Sequence, residues 1–224
     1  MRKRMIAALL CLAFALPAWG WSWGALTDSA FRALCGKGSA DEVAAMIKKD
    51  ANVNAADEDG ETPLMVAVKK GNAPVVDVLL ASGAKVNAKN ANGEDALTQA
   101  VRAHEPNAAI VASLLKGGAD AKTATKDGET ALMMACRVSP PKQPVIEVLL
   151  KAGVNVNAAD KNGETALFKA CNNSRVTPET IEVLLAAGAD ARAKTKRGET
   201  ALDKARKNRK LPPELIAKLE AAAK

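Results

Sequence analysis

Apolar positions in this chain come in two kinds of short block that alternate along its length. The first kind reads ETPLMVA, EDALTQA, ETALMMA, ETALFKA and ETALDKA, and each block follows a glycine: Gly60, Gly93, Gly128, Gly163 and Gly198. Those glycines are 33, 35, 35 and 35 residues apart. The second kind reads VVDVLLASGA, IVASLLKGGA, VIEVLLKAGV and TIEVLLAAGA, and a polar stretch such as VNAKNANG or VNAADKNG leads to the next glycine. A fixed period of this length marks stacked repeat units.

Each unit predicts two helices. Thr62, Thr130, Thr165 and Thr200 stand where a hydroxyl can satisfy an orphan N–H at a helix start, and Pro63 suits a first helical position. Leu64, Leu97, Leu132, Leu167 and Leu202 form one core column, while Ala67, Ala100, Ala135, Ala170 and Ala205 let neighbouring helices approach closely. The second helices supply Leu79-Leu80, Leu114-Leu115, Leu149-Leu150 and Leu184-Leu185, and end at Gly83, Gly118, Gly153 and Gly188 as left-handed caps. The stretch to the next glycine predicts a projecting turn or hairpin. No unit can bury its apolar face alone, so stability is shared between neighbours.

In this register the chain resembles the ankyrin repeat family over residues 27–224. The resemblance implies an all-α solenoid of helix–turn–helix units with projecting hairpins or turns. About six repeats, two of them caps, fall near 27–60, 61–93, 94–128, 129–163, 164–198 and 199–224. Two departures stand out. The family's histidine in Thr-Pro-Leu-His is replaced by Met65, Thr98, Met133, Phe168 and Asp203, so the cap network is expected to differ and local stability to be lower. The connections HEPNA, SPPKQP and SRVTPE are longer than in the 33-residue unit, with KLPPE continuing the pattern. They are either a second binding rim or tolerated loop length. The column Cys35, Val68, Val101, Cys136 and Cys171 ends in Arg206, as a terminal repeat facing water requires.

The first twenty residues belong to a different pattern. Arg2, Lys3 and Arg4 precede the apolar run Ile6–Leu16, and Pro17 and Ala18-Trp19-Gly20 follow. That order predicts a secretory signal peptide over 1–20, cleaved after Gly20 or, as second choice, Gly24, with 21–26 as a short segment before the repeats. The run is far shorter than the ~20 residues of a membrane span, so no span is expected after cleavage. Cleavage lowers the formal net charge from +7 to +4, because the segment carries three bases and no acids. Neither the charge nor the exported location suits a nucleic-acid binder. Tyrosine is absent and the only tryptophans are Trp19, Trp21 and Trp23, which fits thin aliphatic layers; Trp21 and Trp23 are expected to cover the first repeat.

Catalytic chemistry has little to work with. The one histidine, His104, lies in a connection with no nucleophile near it and reads as a solvated side chain. No cysteine pair has zinc-ligand spacing, and no metal or cofactor is expected. Cys136 and Cys171 sit at equivalent points of successive helices, too far apart for a disulfide, so they and Cys35 read as buried free thiols. Glu61, Glu94, Glu129, Glu164 and Glu199 precede helix starts, where the dipole favours them.

The family resemblance implies a protein partner gripped by hairpin tips and by the groove of the first helices. Carried over by register, the tip positions include Lys126, Lys161, Lys196 and Arg197, beside Glu58, Asp59, Ala91, Asn92, Asp127 and Asn162. The groove positions are Lys69, Lys70, Arg102, Arg137, Asn172, Asn173, Lys207 and Asn208, joined by Met134 and Lys169. Lys69, Arg102, Arg137 and Lys207 share a column, which reads either as a basic stripe for an acidic partner or as an ordinary solvated face. Charge also runs along the stack: residues 21–61 are net −4 and residues 190–210 net +6. The expectation is a monomeric, non-catalytic, periplasmic binding protein. Its expected partner is an exported enzyme with an acidic surface, such as a wall hydrolase, that it inhibits or supports. A secreted effector that binds a host protein is the alternative.

Overall fold

The computed structural model describes residues 23–103 and 105–224. The proposed signal segment, its cut after Gly20, Trp21 and His104 therefore lie outside the described residues. Twelve helices run through the described part in six antiparallel pairs. The first helices of the pairs are α1 (Trp23–Lys37), α3 (Pro63–Lys69), α5 (Ala96–Arg102), α7 (Ala131–Arg137), α9 (Ala166–Cys171) and α11 (Ala201–Lys207). The second helices are α2 (Ala40–Ile47), α4 (Ala73–Ala81), α6 (Ala108–Lys116), α8 (Gln143–Lys151), α10 (Pro178–Ala186) and α12 (Pro213–Ala222). α1 already begins at Trp23, so helix reaches back into the stretch expected to precede the repeats. First helices pack on first helices and second on second, giving a two-layered stack with a continuous core.

The helix starts form as local chemistry dictates. Thr62, Thr130 and Thr165 accept from the backbone N–H of Met65, Met133 and Phe168 at 3.3, 3.4 and 3.3 Å. Asp95 does the same for Thr98 at 2.8 Å, and Thr200 and Asp203 cap each other reciprocally. The caps are intact without the family histidine. Met65, Met133 and Phe168 instead turn into the core, so the substitution trades a polar contact for apolar burial.

Of each leucine pair on the second helices, Leu79, Leu114, Leu149 and Leu184 are fully buried. Their C-terminal neighbours are half-buried against the core, because consecutive helical residues point about 100° apart. Leu202 is only half-buried, since among the described residues no further first helix packs on α11. Cys35, Cys136 and Cys171 are free and buried. Burial pushes the thiols of Cys35 and Cys171 up to about 12, and that of Cys136 higher still, which leaves them unreactive as nucleophiles.

Between units the chain forms tight projecting turns with no extended strand among the described residues. Isolated antiparallel bridges Ala124–Thr130, Ala159–Thr165 and Lys194–Thr200 close three of them. The side chain of Asp57, Asn90 or Asp160 accepts two backbone N–H groups across its own turn, as at Asp160 from Asn162 (2.8 Å) and Glu164 (2.9 Å). The glycine that follows sits at positive φ, +76° at Gly163. A second clamp joins neighbouring turns. Asn54, Asn87 and Asn157 donate to the carbonyls of Gly83, Gly118 and Gly188 and accept from the N–H of Lys85, Asp120 and Asp190.

Candidate protein-binding surface

The first helices after α1 are only about 10 Å long, so long side chains from their two ends can meet. They do, and this changes the charge of the groove. Lys69 pairs with Glu61 at 2.9 Å, Arg102 with Glu94, and Arg137 with Glu129 at 2.8 Å. Each partner lies eight residues earlier in its own unit. Lys207 reaches Glu199 at 4.0 Å, where Lys204 is already bound at 2.8 Å. The expected basic stripe is therefore one rail of a ladder of paired charges. The glutamates, placed in the sequence as helix-dipole partners, neutralise it. The spacing of eight was visible in the sequence, but that the pairs close across the groove face required the geometry.

Three expected groove residues are taken up inside the fold. Met134 is fully buried in the core. Asn173 is buried and its amide donates to the carbonyls of Cys136 (3.0 Å) and Val138 (2.8 Å), tying its unit to the one before. Lys169 is held at 2.8 Å by Asp160 and also by Glu164, with 13% of its side chain exposed. Burial opposes the charge on Lys169, yet the hydrogen bonds it donates to those two carboxylates raise its pKa above the ordinary lysine value. Burial likewise opposes the charge on Asp160, and the bond from Lys169 with two backbone N–H groups holds it below the usual carboxylate range. Asn208 donates to the carbonyl of Asn173 at 3.1 Å, repeating the tie one unit on.

Lys69, Lys70, Arg102, Arg137, Asn172 and Lys207 remain exposed along the groove, and Lys126, Lys161, Lys196 and Arg197 are exposed at the tips. Gln99 adds a position that the sequence did not single out. It is buried and donates to Glu61 at 2.9 Å, beside Asn90 at 2.7 Å, so a polar cluster spans two units under the groove. Glu105 and Asn107 of the first long connection line two shallow clefts, of about 470 and 340 Å³.

Residues 22–90, 85–160 and 141–212 match the family model for ankyrin repeats, three copies in succession. The chain belongs to the ankyrin repeat family. The ankyrin fold is generally a non-catalytic protein-interaction module. Among solved structures, this ankyrin chain is similar to a chain of the complex between the predatory endopeptidase Bd0816 from Bdellovibrio bacteriovorus and the immunity protein Bd3460. The identity is 32%, over 84% of this chain and 97% of that one, with a TM-score of 0.70. An ankyrin repeat domain from Acinetobacter baumannii AYE is 29% identical over 87% of this chain and 97% of its own, with a TM-score of 0.75. The ankyrin domain of Bcl-3, at 24% identity and a TM-score of 0.73, shares the fold. A search of curated proteins returns no match. Among the described residues of this ankyrin stack no cluster of His, Cys, Asp and Glu could hold a metal ion, and no helix is long and apolar enough to cross a membrane.

Proposed function

We propose that this ankyrin protein is exported to the periplasm, where it binds and regulates an enzyme of the cell envelope. A wall hydrolase is the favoured partner. The observation that carries the reading is the 32% identity to a chain of the endopeptidase–immunity protein complex, over 97% of that chain. It favours inhibition over support. The basic, apolar and small-residue order of residues 1–20 supports export. The binding residues we propose are the exposed groove and tip positions Lys69, Lys70, Arg102, Arg137, Asn172, Lys207, Lys126, Lys161, Lys196 and Arg197.

The test is capture from an envelope extract with the tagged chain lacking residues 1–20. The expected result is co-purification of a wall hydrolase, with the chain itself found in the periplasmic fraction. Recovery of the chain in the culture medium, bound to no envelope enzyme, would favour the host-directed alternative instead.

A further inference from the structure

The column of cations along the groove is paired, and the densest excess of positive charge is at one end, where residues 190–210 carry nine bases against three acids. Lys69, Arg102 and Arg137 each face the glutamate of their own unit. Lys194, Lys196 and Arg197 on the last hairpin, and Arg209 and Lys210 after α11, are exposed and close no salt bridge among the described residues; Arg197 only adds, after Lys204 and Lys207, to the positive field on Glu199. The carboxylates around them are already engaged: Asp190 with Arg192 at 3.7 Å, Glu199 with Lys204, Asp203 in its capping box, and Glu220 with Arg206 at 2.7 Å. The two groups of unpaired cations stand at opposite ends of α11. Lys204 and the exposed Lys207 lie between them on that helix.

We propose that the last hairpin, α11 and the connection after it form the docking pole of this protein, and that its occupant is an acidic face of the partner enzyme. The inference rests on the enzyme-binding reading above. An exposed cation without an internal partner loses no ion pair when a carboxylate approaches, whereas Arg102 or Arg137 would have to exchange one carboxylate for another. The pole therefore supplies attraction and the groove supplies neutral fit.

A folded protein suits the pole better than a long anionic polymer. At the other end of the same row of tips the first hairpin carries Asp57, Glu58 and Asp59, all exposed. The two ends are four repeat steps apart, roughly 30–40 Å at usual helix spacing. A uniform polyanion lying along the row would be attracted at one end and repelled at the other. A globular partner can present acid to the pole and base or neutral surface to the first hairpin, which fixes its orientation.

The enzyme recovered by capture is purified and its affinity measured at low and high salt for three proteins. These are the wild type, the pole variant K194Q/K196Q/R197Q, and the control K48Q/K116Q/K151Q, which removes the same charge from exposed lysines at the ends of α2, α6 and α8. The pole variant is expected to bind about tenfold more weakly and to lose most of its salt dependence. The control is expected to stay within about threefold of wild type. Wild-type affinity in the pole variant, or an equal loss in the control, overturns the inference and leaves enzyme binding standing. Failure of the wild type to capture any envelope enzyme removes both. Loss of co-sedimentation with lipopolysaccharide in the pole variant, with enzyme binding unchanged, would reassign the pole to a polymer.

Discussion

Gly163 and Gly198 hold the same turn, with φ of +76° and +77°, but only one of them is crowded. A Cβ on Gly163 would stand 3.1 Å from the Cα of Thr195 in the next hairpin, while one on Gly198 would meet nothing within 4 Å. Gly198→Ala is expected to cost about 1 kcal/mol, the strain of a left-handed L residue, and Gly163→Ala about 2–3 kcal/mol, because the hairpins must also separate. Urea midpoints measure both, and equal losses would contradict the crowding argument. The Asp160–Lys169 pair makes a second residue-scale prediction. Asp160 is depressed, so its contribution is present above the ordinary carboxylate value and is lost as pH falls through its lower folded value. Lys169 is raised, so its contribution is present below the ordinary lysine value and is lost as pH rises through its higher folded one. Asp160→Asn keeps the turn acceptor but not the ion pair, and is expected to cost about 1–3 kcal/mol at neutral pH. An unchanged denaturation midpoint at neutral pH would show that the pair contributes nothing. The recurring glycine and the capping threonine were legible in the sequence because both act within one turn of chain. The burial of Met134 and Asn173 was not, because it depends on groups from other units, and that of Lys169 was not, because the spacing to Asp160 and Glu164 does not show that the turn folds both carboxylates onto it.

At the scale of elements, the units are not tied equally. Asn54, Asn87 and Asn157 clamp successive turns, but the equivalent position of the third unit is Lys122. Tip-to-tip backbone bonds join Asp59 to Ala91, Asp127 to Lys161 and Asn162 to Lys196 at 2.8–2.9 Å, and none joins Asn92 to Lys126 among the described residues. The amide ties of Asn72, Asn173 and Asn208 to the preceding unit have no counterpart among the described residues of the third or fourth. Each junction of the third unit thus lacks part of the lacing: the one to the second keeps the Asn87 clamp and the Gln99–Glu61 bond without a tip bond, and the one to the fourth keeps the Asp127–Lys161 bond without a clamp. By register, an asparagine at 122 would reach the carbonyl of Gly153 and the N–H of Asn155. Lys122→Asn is expected to add about 1 kcal/mol of stability and to slow amide exchange around Gly153. Unchanged exchange there would remove the clamp from the account. The alternation of block and glycine revealed the elements, while the unequal lacing depends on single residues whose partners lie more than twenty-five positions away.

The molecule as a whole is a stack whose ends communicate only through its middle. Leu132 is 1% exposed in the first turn of α7, midway along the stack, so Leu132→Ala is expected to cost about 2–5 kcal/mol and to split one unfolding transition into two. A single transition at the wild-type midpoint would contradict that coupling. The same linear build gives the protein its electrical shape, acidic at the first hairpin, paired along the groove and basic at the last unit. The charge difference between the ends could be counted in the sequence. The cancellation in the middle could not, because exposure and pairing depend on the folded surface. What the stack is for is tested most directly by titrating the purified chain, without residues 1–20, into the captured wall hydrolase while peptidoglycan cleavage is followed. Cleavage that falls in proportion to added protein and levels off near one chain per enzyme is the predicted result. An unchanged rate at about ten equivalents, with binding shown to be saturated, would contradict the account.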